Sequence, residues 1–272
     1  MVSKELVIGA LLIAVAVLGI ALPLTYLSVT HKELRITSLG DLLRLSKIPV
    51  SILSSKELEL IYSKYVNITK EGRLSIKCLN CVLVINNSLS NALSIKVFKS
   101  KSSLSSWLGV SEPKYEVRVG SDSVNVLVSN AVSVIELPTT SVHELSIEVA
   151  NGVSKLLLSN INLNASLTLS NSVLKTDLRY LSKDGLRNQV SIHMSNSLAK
   201  LMIYCSDCRI KYLSRLANGL SRLYVDHEEV AKAVGSSTYV DKGFSESLRK
   251  LVISIEGSNS LAEVKVMRGG AD

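Results

Sequence analysis

The sequence predicts an all-β fold: a single-stranded parallel β-solenoid, or β-helix, with coils of about 21 residues, preceded by an N-terminal transmembrane helix. Three observations predict it. A short motif centred on Asn returns along the chain, as "VLVSNAV" at 126–132, "IEVANGV" at 147–153, "LTLSNSV" at 167–173 and "IHMSNSL" at 192–198. Hydrophobic residues make up 47% of the chain but aromatics only 4%, so Val, Leu and Ile must fill the core, which suits repetitive β layers. A long apolar run opens the chain.

That run carries no charge from Leu6 to Leu22, and apolar character continues past Pro23 to Tyr26, Leu27 and Val29. A helix crossing a bilayer needs about 20 such residues. Residues 1–30 are therefore read as a membrane anchor, with Tyr26 at the interface. A cleaved signal peptide is the alternative, but its apolar core is shorter, roughly 7–15 residues, and it ends at a small-residue cleavage site. Counting basic residues (Lys4 on one side; Lys32, Arg35, Arg44 and Lys47 on the other) leaves the large domain in the cytoplasm. Glycosylation sequons at Asn67, Asn86 and Asn164, and cysteines in close pairs, point outward. The expectation is a single-pass protein of the cell membrane with an extracytoplasmic domain.

Residues 31–72 link the anchor to the repeats. "SLGDLLRLSKI" and "SSKELELIYSKYV" show helix-compatible spacing, and part of 40–72 is expected to cap the exposed end of the first coil. The solenoid domain is assigned to 73–272. Excursions are expected at 100–114, carrying Trp107, and at 227–250, with a short helix at 228–234.

The corner asparagines Asn130, Asn151, Asn171, Asn196, Asn218 and Asn259 follow at steps of 21, 20, 25, 22 and 41 residues. The last step reads as a corner lost or looped out. Asn80, Asn91, Asn160 and Asp207 mark half-steps. A fixed period of this size is a solenoid signature. Asn tolerates the left-handed conformation of a tight corner, and its stacked amides can bond one another. Interior aliphatic columns are expected two residues before the corner (Val128, Val149, Leu169, Met194, Leu216), two after (Val132, Val153, Val173, Leu198, Leu220, Leu261) and seven after (Leu137, Leu158, Leu178, Ile203, Val225, Val266).

On "SNAV", "ANGV", "SNSV" and "SNSL", the span 74–266 resembles the putative-adhesin family of surface β-solenoids, whose coils of about twenty residues turn at short polar corners. Asn followed by Ala, Ser or Gly stands where that family often has Gly-Asp or Gly-Ser. The resemblance implies a β-solenoid exposed outside a membrane, and a fold alone supplies no function.

Chemistry-bearing residues are few. "CLNC" (Cys78, Cys81) and "CSDC" (Cys205, Cys208) place cysteines astride a corner, so local disulfides are expected. A four-thiolate zinc site is the rival; with the pairs 124 positions apart it would have to bridge several coils. Four residues after the corners come Lys155, Lys175, Lys200 and Arg222, a basic ladder beside Leu157, Met202 and Tyr224, diluted by Asp177 and Glu148. His31, His143, His193 and His227 are scattered, and "HEEVA" lacks the second histidine of a zinc-protease helix. Glu136, Glu148 and Asp177 share no common offset, so no acid–base pair is assembled.

The formal charge of +8 favours anionic partners: acidic glycan, anionic lipid or an acidic surface protein. Too few aromatics exist for base stacking, so nucleic acid is disfavoured. No cofactor is expected. The leading reading is a membrane-anchored surface scaffold or adhesion protein without catalysis, open to end-to-end or lateral self-association. The alternatives are a carbohydrate-active β-helix enzyme and an intracellular membrane-tethered scaffold.

Overall fold

The computed structural model describes residues 58–68, 72–88, 92–100, 112–138, 141–181 and 187–269. The expected anchor at 1–30, most of the expected cap, Asn91 and Trp107 lie outside these. In order, the strands are β1 (Leu58–Asn67), β2 (Gly72–Leu79), β3 (Val82–Asn87), β4 (Ala92–Ser100), β5 (Lys114–Val119) and β6 (Ser123–Ser129). Then follow β7 (Val132–Leu137), β8 (Val142–Ala150), β9 (Val153–Ile161), β10 (Asn164–Ser170), β11 (Val173–Tyr180) and β12 (Arg187–Ser195). The series ends with β13 (Leu198–Tyr204), β14 (Arg209–Val225), β15 (Glu228–Val240), β16 (Lys250–Ser258) and β17 (Leu261–Met267). The described chain is all-β, one continuous 17-stranded sheet wrapped around a single aliphatic core.

Each repeat is a strand, an Asn corner and a second strand. Strands before the corner form an upstream layer, and strands after it a downstream layer. Parallel pairing within each layer is in register with the corners: Leu167 lies beside Ile147 and Ile192, and Lys175 beside Lys155 and Lys200. The corner residues take the left-handed conformation, with φ of 49° at Asn80, 54° at Asn130, 51° at Asn151, 47° at Asn171, 47° at Asn196, 53° at Asn218 and 48° at Asn259. Asn160 and Asp207 share it, at 54° and 55°. Their side chains stack as expected: amide bonds run from Asn80 to Asn130, Asn151 to Asn80, Asn171 to Asn151 and Asn196 to Asn171, at 3.2, 3.2, 3.1 and 3.2 Å.

The residue after each Asn faces inward and is small. Where it is serine it forms a second ladder beneath the amides. The Ser197 hydroxyl accepts from the Ser172 N–H at 3.1 Å and donates to the Ser195 carbonyl at 2.7 Å; Ser260 does the same for Ser197 and Ser258, at 3.1 and 2.7 Å. This inward residue sets the phase of the downstream strand. Columns three, five and seven after the corner point inward, so Leu158, Leu178, Ile203 and Val266 are core, as is the column two before it. The column two after is corrected. Val132 is buried, but Val153, Val173, Leu198, Leu220 and Leu261 face outward and are half-exposed, because strand alternation cannot bury positions two and seven together.

The coils do not stack in chain order. The β2–β3 coil lies between β6–β7 and β8–β9, and the β16–β17 coil lies between β12–β13 and β14. No corner is lost in the 41-residue step. Asn218 and Asn259 are spatial neighbours, joined by the Asn259 N–H donating to the Ala217 carbonyl at 2.8 Å. Gly257 permits this insertion, since a Cβ there would collide with the Met194 carbonyl.

Antiparallel strands finish each end: β4 and β5 on β7 and β6, β1 on β4, and β15 along β14. Two helical expectations are therefore corrected. Residues 58–67 and 228–240 are strands, the latter because Asp226 and His227, with φ of 48° and 74°, make the two-residue turn that suits a hairpin. Behind that hairpin, buried Asp241 accepts from the Ile210 N–H at 2.7 Å, the Tyr239 hydroxyl at 2.7 Å and Arg268, whose guanidinium also binds Asp226 at 2.9 Å. This bond to Asp226, with the field of Asp241, outweighs the opposing effect of burial and raises the Arg268 pKa.

Two predictions follow from the corner and the core. Asn171→Ala is expected to lower stability by about 2 kcal/mol, combining left-handed strain with the lost amide bonds. Asn171→Gly, which keeps the conformation, recovers about 1 kcal/mol of this in denaturant titrations. Equal losses would dismiss backbone conformation as the constraint. Burial raises the Tyr180 and Tyr212 phenols above their ordinary pKa. Their folded values exceed the unfolded one, so this stability is complete below about pH 10 and is lost as pH rises further. In an alkaline absorbance titration both should ionise only with unfolding.

Candidate functional site

The cysteines form disulfide pairs across corners, with Cα separations of 5.8 Å for Cys78–Cys81 and 5.7 Å for Cys205–Cys208. Cys78, Cys81 and Cys208 are 1% exposed, so the first bridge lies in the interior behind Asn80. The second sits at the opposite edge, where the chain passes from β13 to β14 around Asp207. Among the described residues, no group of three or more His, Cys, Asp or Glu side chains is placed to hold a metal ion.

The four basic residues share one outward row of the downstream layer. Lys155, Lys175 and Lys200 occupy successive rungs, which at strand spacing stand about 4.8 Å apart. Arg222 does not follow directly. Glu263 of the inserted coil lies between Lys200 and Arg222, and pairs with Lys200 and Lys265 at 3.5 Å each. The sequence carried this signal, since Glu263 stands four residues after Asn259; counting the same offset from Asn80 and Asn130 ends the row in Val84 and Val134.

Beside the lysines runs the half-exposed aliphatic row just corrected. Val82, Val153, Val173, Leu198, Leu261 and Leu220 are adjacent in register. On the other flank the row runs Leu157, Asp177 and Met202, then Lys265 over the Tyr224 ring at 5.2 Å. The downstream face is thus aliphatic and basic together.

The upstream face has a different character. Ser75, Ser146, Ser166 and Ser191 form a row of short side chains between longer ones, the floor of a polar trough of about 690 Å³ reaching Arg73 and Gln189. Charges on this face are interleaved: Arg73 pairs with Asp122, whose carboxyl it holds below the usual range, and Lys77 pairs with Glu148 at 2.8 Å.

The remaining candidates stay apart. Glu148 lies on the upstream face, while Glu136 and Asp177 lie on the downstream one, paired with Lys96 at 3.2 Å and Arg179 at 3.3 Å. His143 contacts the Asn162 carbonyl at 3.2 Å, His193 lies 4.0 Å from Glu256, and His227 sits in the hairpin turn. Of the sequon asparagines, Asn67 and Asn164 are exposed; the Asn164 oxygen accepts from the Gln189 N–H at 3.1 Å. The Asn86 side-chain oxygen is shielded within β3.

No family model and no curated protein matches the chain. Among solved structures, a putative cell adhesion protein from Clostridium sporogenes aligns with a TM-score of 0.50 and 13% identity over 76% of this chain and 100% of that one. A putative adhesin from Bacteroides fragilis aligns with a TM-score of 0.31 and 9% identity, over 78% and 97%. The chain shares the fold of the Clostridium protein.

Changing Lys155, Lys175, Lys200 and Arg222 together to Ser is expected to lower the salt needed to elute the protein from a sulfated-polymer column, with the melting temperature held within a few degrees. Glu263→Gln should raise that salt concentration. Unchanged elution in both variants would remove the row from consideration as an anion-binding site.

Proposed function

We propose that the chain is a membrane-anchored, non-catalytic adhesion or interaction scaffold, built as a parallel β-solenoid and exposed outside the cell. The observation that carries this reading is the use of the repeat. In-register coils project unlike chemical rows, while the side chains capable of acid–base work are held in ion pairs on different faces. The fold shared with a putative cell adhesion protein supports it. So do the charge-free run at 6–22, which suits an anchor, and the bridged cysteines, which suit an oxidising compartment. In this reading residues 1–30 span the membrane, 31–72 link and cap, and Asn67 and Asn164 are open to glycosylation. An acidic glycan, an anionic lipid or a surface protein is the partner class.

An epitope tag at the C-terminus tests the reading. Antibody access in intact cells, with thiols that resist alkylation until reduced, is the expected result. Access only after permeabilisation, with freely alkylated thiols, would replace the exterior scaffold with an intracellular tethered one.

A further inference from the structure

We propose that β15 is the docking edge for a second copy of this chain: its uncharged half, residues 233–240, pairs antiparallel with itself in a two-fold dimer joined at one pole of the solenoid. The proposal is independent of the reading of residues 1–30.

Among the described residues, three strands have a partner on one side only: β1 on β4, β5 on β6 and β15 on β14. An open edge offers a row of N–H and C=O groups to any extended chain, and charged side chains and bulges are the usual guards against it. β1 carries Glu59, Lys64 and a bulge between Leu60 and Tyr62, and β5 alternates Lys114, Glu116 and Arg118. The first part of β15 is guarded in the same way, by Glu228, Glu229 and Lys232 and by a register shift at Val230. From 233 to 240 the strand reads "AVGSSTYV", with no charge and no Pro, and its pairing with β14 is unbroken from Gly235 to Val240.

Backbone direction limits the registers this edge accepts. The Asp241 N–H donates to the Ile210 carbonyl at 2.9 Å, so residues 239 and 237 also turn their N–H and C=O toward β14. Ser236, Thr238 and Val240 turn theirs to the open edge, and in a self-pairing these must face even-numbered residues. Centred on Ser237, the pairing sets Ser236 of one copy opposite Thr238 of the other, Val234 opposite Val240, and Gly235 opposite Tyr239. Val234 and Val240 are 79% and 48% exposed, so each covers the other. Among the described residues nothing lies within 4 Å of where a Cβ on Gly235 would stand, which leaves room for an aromatic ring across the strand pair. Centring the pairing on Ser236 or Thr238 instead sets Lys232 opposite Val240 or Lys242 opposite Val234. The register that matches apolar with apolar is therefore the self-complementary one.

Position sets the form of the assembly. β1, the first strand, lies at the pole opposite β15. A two-fold contact uses the β15 edge of each copy once and meets guarded edges elsewhere, so association stops at two. It continues the upstream layer of one copy into that of the other.

The test follows the full chain in detergent by sedimentation velocity over a concentration series. A monomer–dimer equilibrium is expected. Ser236→Lys with Thr238→Lys sets lysine against lysine twice, and is expected to raise the dissociation constant on the order of tenfold. Both side chains are exposed, so the melting temperature should stay within a few degrees. Ser236→Lys with Thr238→Glu sets lysine against glutamate in the same register and is expected to keep the dimer. Ser237→Cys, which meets its own copy across the two-fold axis, should give a disulfide-linked dimer on mild oxidation, and Ser63→Cys on β1 should not. A chain that stays monomeric, a dimer that tolerates the lysine pairs, loss of the dimer in both charged variants, or cross-linking at Ser63 equal to that at Ser237 would overturn the proposal.

Discussion

A left-handed residue once per coil is the constraint on which the rest depends. At each corner the chain must turn from one layer into the other within a single residue. An L-amino acid resists the required φ unless its side chain is Asn or Asp, or is missing altogether. Asn satisfies the backbone and also offers an amide that bonds the corner above and the corner below. Backbone geometry and inter-coil bonding are thereby met by one side chain. Register follows: once the corners align, every column upstream and downstream aligns with them, and a slip of one residue would turn the core outward.

The small residue after the corner carries the constraint into the interior. Ser172, Ser197 and Ser260 each bind a backbone group of the neighbouring coil and one of their own, so buried hydroxyls are satisfied where two layers converge too closely for larger side chains. In the Cys78–Cys81 coil this position holds a cysteine, and a covalent bridge across the corner takes the place of the hydroxyl contacts.

Much of this was legible in the sequence, for local reasons. A left-handed corner selects Asn strongly enough to be counted, and the columns two before and seven after it are aliphatic because they are core. The column two after is equally aliphatic but outward, so composition alone misplaces Val153 and Leu198; only the inward turn of Gly152 or Ser197 reveals the phase. The order of coils was not legible. β2–β3 and β16–β17 carry the same corner as their neighbours, and nothing in a repeat states which copy it will lie against. That hid the interruption of the basic row by Glu263. Likewise "HEEVAKAV" has helix-compatible composition, and β14 offering its open edge decides for a strand.

The inserted coils have a mechanical consequence. In a stack threaded in chain order, tension on a terminus peels the outermost coil, breaking one rung of hydrogen bonds at a time. Here the described chain ends in β17, held between β13 and β14 with partners on both sides. A pull on that end cannot begin at a free edge. It must load two ladders together, with the Arg268 guanidinium pinning the exit of the strand to Asp226 and Asp241. Threading order thus turns a row of individually weak bonds into a joint that yields as a unit.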